Sequence, residues 1–251
     1  MNKYIIEDMN HANSDSLLVK NPGKYALFPG CQLGAFEPEL VVKLYDSLRN
    51  QYADMGIILA CCGAPAKTCS CSGGCADDAE GLGEAFAKSS DTVKKAWIEL
   101  GKPVFIITCP LCMEHLKEVH PDIQTKSIYD FLLEQEISGG CHEAEFTVYE
   151  DCGAFSEAVR TLADDMGGDC DHDHDHESAD ASSPAGPTML TCTMQSRNKL
   201  LSEGQSAQHI LELVYGNGEP LPAAASEEEI AEIKKQNRLD LKEALLNFFF
   251  S

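Results

Sequence analysis

Cys61 and Cys62 stand side by side in Ala60-Cys61-Cys62-Gly63-Ala64-Pro65, with a glycine and then a proline close behind them. Two other thiol-bearing stretches flank the pair along the chain, Pro29-Gly30-Cys31 and Thr108-Cys109-Pro110-Leu111-Cys112. Each closes a short apolar run: KYALFPGC over 24–31, GIILACC over 56–62 and PVFIITCPLC over 103–112. Between the first two runs Val41, Leu44, Tyr45 and Leu48 recur at three- and four-residue intervals, the spacing of a helix with one buried face. Strands separated by helices predict a parallel α/β sheet, and sites in such sheets gather where the strands end. Cys31, Cys61, Cys62, Cys109 and Cys112 are therefore expected on one sheet edge, within reach of a single inorganic centre. One cysteine at a strand end reads as a small buried hydrophobe; five at successive strand ends read as a ligand set.

The donor set bears on which centre it suits. Zinc takes four tetrahedral ligands, usually from two separated pairs, and a vicinal Cys-Cys pair is an awkward chelate for one small ion. An iron–sulfur cluster spreads several irons over a few ångströms, so neighbouring thiolates can reach different metal atoms. The thiol count favours iron–sulfur and leaves zinc as the alternative. Gly30 and Gly63 let the backbone come close to such a centre, and Pro110 fixes the turn after Cys109.

The rest of the chain narrows the setting. Its 251 residues are 43% hydrophobic, enough for one sizeable core or two small ones. Lysine and arginine total 19 against 41 acidic residues, a formal charge of −22 without a compensating basic cluster, which disfavours nucleic acid and anionic membrane surfaces. The opening MNKYIIEDMNHANSDS lacks the apolar centre of a signal peptide, and no stretch approaches a membrane span, so a cytoplasmic location is expected. In a reducing compartment twelve cysteines point to metal or redox work rather than to a disulfide framework. No glycine-rich phosphate loop follows any strand, so a nucleotide or flavin is expected on a partner.

PGC at 29–31, CCGAP at 61–65 and TCPLC at 108–112, in that order, resemble the cysteine-rich CCG domain of the B subunit of heterodisulfide reductase and of the iron–sulfur subunits of glycolate and lactate oxidases. TCPLCMEHLKEVHPDIQTKSIYDFLLE at 108–134 is similar to that family beyond its cysteines, and the likeness covers most of 24–135. The resemblance implies a non-cubane [4Fe-4S] cluster on Cys31, Cys61, Cys62, Cys109 and Cys112, in two tandem Rossmann-like domains. It further implies reduction of a small-molecule disulfide or another two-electron acceptor, with electrons from ferredoxin-like or flavoprotein partner subunits and no separate catalytic acid or base. A chain of this kind is an oxidoreductase subunit that is not active alone.

The second half reads as a degraded repeat. FTVYEDCGAF at 146–155 resembles the first strand with Cys152 in the place of Cys31, TMLTCTMQ at 188–195 sets Cys192 against Cys109 and Gln195 against Cys112, and HILELVYG at 209–216 parallels SIYDFLLE at 127–134. No vicinal pair lies between; instead GGDCDHDHDHESADASSPAGP at 167–187 reads as a mobile, solvated low-complexity loop whose alternating His and Asp have incidental affinity for metals, with metal capture as the alternative. Cys152, Cys170 and Cys192 form a candidate second metal site, while Cys69, Cys71 and Cys75 sit in a Gly/Ser-rich insertion read first as a loop beside the centre that modifies access to it; for Cys71 and Cys75 a further metal site, a redox thiol pair or alternative ligands to the first centre stay open. His115 and His120 are expected to be ordinary helix residues. The expected organisation is a flexible segment at 1–23, a first cysteine-rich half at 24–140, a degenerate second half at 141–218 and a C-terminal helix at 219–251. Two functions follow, an iron–sulfur redox subunit and, in the alternative, a non-catalytic zinc-binding or metal-handling module.

Overall fold

A computed structural model of the chain describes residues 5–7, 17–20, 23–64, 79–137, 146–167, 187–216 and 227–250. The acidic loop with Cys170 and the insertion with Cys69, Cys71 and Cys75 lie outside these residues.

The chain folds as two α/β halves, each around a parallel sheet, followed by a long helix. Three apolar runs become β3 (Tyr25–Phe28), β4 (Gly56–Leu59) and β5 (Val104–Ile107), which are buried almost throughout. Burial on both faces is what an uninterrupted run of branched apolar residues predicts for a parallel sheet covered by helices. With β6 (Thr125–Ser127) they form the parallel part of a sheet that begins with β1 (Ile5–Glu7) and β2 (Leu17–Lys20) and is ordered β1-β2-β4-β3-β5-β6. The chain leaves the central β3, crosses to β4 on one side and returns to β5 on the other, so the crevice at the end of β3 is the topological switch point at which α/β sheets place their ligands.

The sheet extends further than expected. Residues 1–23, expected as a flexible segment, supply β1 (Ile5–Glu7) and β2 (Leu17–Lys20), and β2 pairs antiparallel with the outer edge of β4. Runs this short carry no readable period; the pairing is stabilised by the otherwise open edge of β4.

The connecting helices are α1 (Gly30–Phe36), α2 (Pro38–Gln51), α3 (Ala79–Glu99), α4 (Pro110–Val119) and α5 (Ile128–Glu134). Val41, Leu44, Tyr45 and Leu48 of α2 are all buried, as their spacing predicts.

The second half repeats this plan in reduced form. β7 (Phe146–Val148), β8 (Thr188–Thr191) and β9 (Ala207–His209) make a parallel sheet ordered β7-β8-β9, the counterpart of β3-β5-β6. Among the described residues it has no counterpart of β4, the strand that delivers the vicinal cysteines. A 3₁₀ turn (Glu150–Phe155), α6 (Ser156–Gly167), α7 (Met194–Ser202) and α8 (Ile210–Tyr215) complete it.

Buried residues of both halves form one continuous hydrophobic core. Charge also joins them. Arg197 of α7 is ion-paired with Glu212 of α8 at 2.7 Å and with Glu37, between α1 and α2, at 3.3 Å, all three side chains being at most 8% exposed. Finally α9 (Glu227–Phe250) lies along α1 and α2, burying Leu241 and Leu245, while Asn237 Nδ2 donates to the Ala35 carbonyl at 2.9 Å. The C-terminal helix thus braces α1, the helix that carries Cys31.

Candidate thiol site

Strand register brings the predicted cysteines level. Leu27 of β3 is paired with Ile57 of β4 and with Ile106 of β5. Cys31 and Cys61 each lie four residues beyond their paired position and Cys109 lies three beyond, so the three strands deliver their thiols to one edge of the sheet. Thr108 ties two of these ends together: its backbone N–H donates to the Phe28 carbonyl at 3.5 Å and its hydroxyl to the Pro29 carbonyl at 2.7 Å.

At that edge Cys62 and Cys112 are buried, and Cys31, Cys61 and Cys109 are half-buried; all five are thiols. Cys112 is in hydrogen-bonding contact with both Cys109 and Cys62, and Cys62 in turn with Cys61. The contact with Cys112 favours the Cys62 thiolate, but the Cys61 sulfur and burial outweigh it and hold the Cys62 thiol well above the ordinary thiol range. Contacts with Cys109 and Cys62, followed by burial, do the same to Cys112. Sulfurs crowded in a poorly solvated site resist ionisation one beside another; a bound cation reverses that balance and takes them as thiolates.

The backbone around them is shaped for sulfur. Gly63 has φ +83°, in the left-handed region, and this turn lets its N–H donate to Cys61 Sγ at 3.5 Å, while the Ala64 backbone bonds to Cys62. Gly30 has φ +71°, and a Cβ there would lie 3.4 Å from Cys112 Sγ and 3.6 Å from Cys109 Cβ. The positive φ is what favours glycine here; a Cβ would fit, in contact with Cys112 Sγ. Pro110 opens α4 with Cys109 as N-cap, so the amide it lacks is one the helix would leave unbonded.

The donor set suits a cluster that engages several thiolates at different metal atoms: sulfur ligands only, amide donors to sulfur and a cradle that a side chain at position 30 would fill. Among the described residues no three Cys, His, Asp or Glu side chains converge as ligands of one ion would. Cys109, Cys112, Cys62 and Cys61 make a chain of neighbouring contacts instead.

His115, set aside on sequence, lies at this edge. Among the described residues its Nε2 is buried without a hydrogen-bond partner, and burial lowers its pKa against the opposing charges of Glu118 and Cys61. Its signal was spacing, since it follows Cys112 by one helical step. His120 is structural, with Nε2 at 3.0 Å from Ser90 Oγ and 3.1 Å from the Ser90 carbonyl oxygen.

The second half departs from the expected correspondence by one residue. β8 and α7 align with β5 and α4 so that Thr193, the N-cap of α7, stands where Cys109 caps α4, and Ser196 stands where Cys112 does. Cys192 then takes the place of Thr108. The slip arises because the Thr-Cys dipeptide occurs in both segments, whereas the helix starts at the residue able to cap it: the Thr193 hydroxyl accepts from the Ser196 N–H at 3.2 Å.

Cys152 does correspond to Cys31, yet it is joined to Cys192 in a disulfide, with Cα atoms 5.0 Å apart. The candidate second metal site is thus replaced, for these two residues, by a covalent pair that ties the same two strand ends as the Thr108–Pro29 hydrogen bond in the first half. Asp151 borders it, accepting from Thr193 Oγ1 at 2.8 Å and from the Cys192 N–H at 3.4 Å. Burial raises the Asp151 pKa, opposed by hydrogen bonds from Thr193, Ser196 and the Cys192 backbone.

The two edges face each other. A crevice with about 30 Å³ of interior space is lined by Pro29, Gln32, Thr108 and Cys109 from one half and by Cys192, Thr193, Gln195 and His209 from the other. Tyr129 lies beneath, fully buried, with its hydroxyl 3.4 Å from the Thr108 carbonyl oxygen; burial pushes its phenol well above the ordinary range, and charge on Cys109 and Asp151 adds to this. His209, buried and lowered to about 4 by desolvation, caps α8 by accepting from the Leu211 N–H at 3.2 Å. Sequence reading missed Asp151, Tyr129, Arg197 and His209; the parallel between SIYDFLLE and HILELVYG held the only hint, because Ser127 and His209 fill the same capping position.

Comparison of the chain with known protein families, with curated proteins and with solved structures gives no match. None of its helices is long and apolar enough to cross a membrane, among the described residues.

Proposed function

We propose that this chain is an iron–sulfur redox subunit similar to the B subunit of heterodisulfide reductase. In this reading Cys31, Cys61, Cys62, Cys109 and Cys112 hold a [4Fe-4S] cluster of the non-cubane kind. The observation that carries the reading is the register of β3, β4 and β5, which brings five thiols from three strand ends to the switch point of one parallel sheet. The CCGAP and TCPLC motifs at those ends support it.

The cluster, when bound, supplies one-electron storage beside a site for a disulfide or another two-electron acceptor. The residues around it have separate tasks. The Gly63 and Ala64 amides stabilise charge on Cys61 and Cys62, the glycine at position 30 keeps the space above Cys112 open, and Thr108 holds the ends of β3 and β5 at fixed separation. Electrons come from a ferredoxin-like or flavoprotein partner, and the chain works in the cytoplasm as part of a complex and not by itself.

The test is ligand removal. Cys61→Ser and Cys62→Ser, each purified without oxygen, should lose most of the iron and acid-labile sulfide that the unaltered chain carries. Full iron in both variants would remove these residues from the ligand set. Stoichiometric zinc without sulfide in the unaltered chain would replace the proposal with a metal-handling module.

A further inference from the structure

The Cys152–Cys192 disulfide opens onto the same crevice as Cys109, and Cys109 belongs to a CxxC pair whose second thiol, Cys112, touches it. We infer that the two halves form an internal dithiol–disulfide relay, in which Cys109 and Cys112 of the first half exchange two electrons with Cys152 and Cys192 of the second. The inference concerns the chain without a cluster, so it does not rest on the iron–sulfur reading.

Placement assigns each sulfur a part. Both sulfurs are buried, Cys192 at 2% and Cys152 at 0% exposed, but of the two Cys192 lines the crevice, so attack falls on Cys192 and Cys152 leaves. Cys109 is the half-exposed thiol of its pair and Cys112 the buried one, which makes Cys109 the attacking residue and Cys112 the resolving residue. In the first step Cys109 gives up its proton and its sulfur bonds to Cys192 Sγ. The Cys152–Cys192 bond breaks, its electron pair stays on Cys152 Sγ, and that sulfur takes up a proton. Acceptors are already in place for the released thiol: Asp151 Oδ1 lies 3.6 Å from Cys152 Sγ and the Leu190 carbonyl oxygen 4.0 Å.

In the second step Cys112 loses its proton and bonds to Cys109 Sγ. The Cys109–Cys192 bond breaks and Cys192 leaves with the electron pair and takes up a proton. The first-half pair ends oxidised, the second-half pair ends reduced, and protons released equal protons taken up, so no outside oxidant, reductant or acid enters. The reverse sequence returns the electrons to the first half.

The absence of a cysteine at Ser196, where the first half has Cys112, fits this division of labour. The second half keeps a disulfide between two strand ends in place of a CxxC pair, and the exchange needs a CxxC on one side only.

The experiment traps the intermediate. The full chain carrying Cys112→Ser is stripped of metal with a chelator under argon, incubated, quenched with acid, alkylated and digested, and disulfide-linked peptides are read by mass spectrometry. Without its resolving thiol the chain should accumulate a peptide pair joined through Cys109 and Cys192, absent from the unaltered chain and lost again in the Cys109→Ser, Cys112→Ser double variant. Cys112→Ala, trapped in parallel, serves if serine at this buried position prevents folding. Recovery of the Cys152–Cys192 linkage alone, with Cys109 alkylated in both variants, overturns the relay. Iron in the unaltered chain reports separately: full iron with no trapped peptide defeats this inference and leaves the cluster reading standing, while a trapped peptide in a chain that never takes up iron does the opposite.

Discussion

Replacing Arg197 with methionine isolates the contact that joins the two halves most directly. The guanidinium is shared by Glu212 at 2.7 Å and Glu37 at 3.3 Å, and the three side chains are 8%, 1% and 3% exposed. Methionine keeps the stem and removes the charge, leaving two buried carboxyl groups without their ion-pair partner and with only the weaker charge of Lys43 acting on Glu37. Removing one partner of a buried pair costs about 3–5 kcal/mol. Protonation offers an escape whose cost rises with pH: holding one carboxyl with an ordinary pKa near 4.5 in its neutral form costs about 5 kcal/mol at about pH 8 and under about 1 kcal/mol at about pH 5.

Burial already raises Glu37 to about 7, against the opposing charge of Arg197, and raises Glu212 as well. The stabilising contribution of a neutral Glu37 is therefore complete below its unfolded value near 4.5 and is lost as pH climbs through about 7. The variant should be less stable than the unaltered chain by about 3–5 kcal/mol at about pH 8, a fall in Tm of about 6–20 °C for a chain of this size, and the gap should shrink to about 1 kcal/mol at about pH 5. Urea and thermal melts of both proteins at the two pH values give the comparison. A gap below about 1 kcal/mol at the higher pH, or a gap of equal size at both, would refute the reasoning.

Two further substitutions probe the edges. Gly30→Ala forces an L residue into φ +71° and sets its Cβ 3.4 Å from Cys112 Sγ, so it should cost about 1–2 kcal/mol and lower iron content; melting together with iron analysis checks both, and an unchanged iron content would remove Gly30 from the cradle. His209→Asn keeps a side-chain acceptor for the α8 cap but no longer titrates. Because burial lowers the His209 pKa from 6.5 to about 4, its contribution to stability is present above about 6.5 and is lost as pH falls toward about 4, by about 3 kcal/mol in all. Urea midpoints across that window should fall less steeply in the variant; identical slopes would show that His209 is not the group responsible.

What could be read from the chain and what could not divide along a physical line. Apolar runs ending in cysteine were legible because a parallel strand covered on both faces needs an unbroken run of residues such as Ile57, Ile58, Phe105 and Ile106, and the helical period of Val41, Leu44, Tyr45 and Leu48 set the crossover between the first two. From those elements alone the five thiols fall on one edge. The strands at 5–7 and 17–20 were illegible because their pairing depends on the edge of β4, a feature of the assembled sheet. The one-residue slip between the halves was hidden by the repeated Thr-Cys dipeptide, and only the hydroxyl cap at Thr193 and the pairing of Thr191 with His209 reveal it. Arg197, Glu37 and Glu212 read singly as surface charges; their burial depends on α7 and α8 packing against α1 and α2, contacts between residues far apart in the chain.

The central claim is that five thiols on one sheet edge hold a single redox cluster. Its most direct test is iron, acid-labile sulfide and zinc per chain in protein purified without oxygen, with EPR spectra of the oxidised and reduced forms. The account predicts about four irons and four sulfides, little zinc and a paramagnetic signal in one of the two redox states. Zinc without sulfide, and no signal in either state, would contradict it.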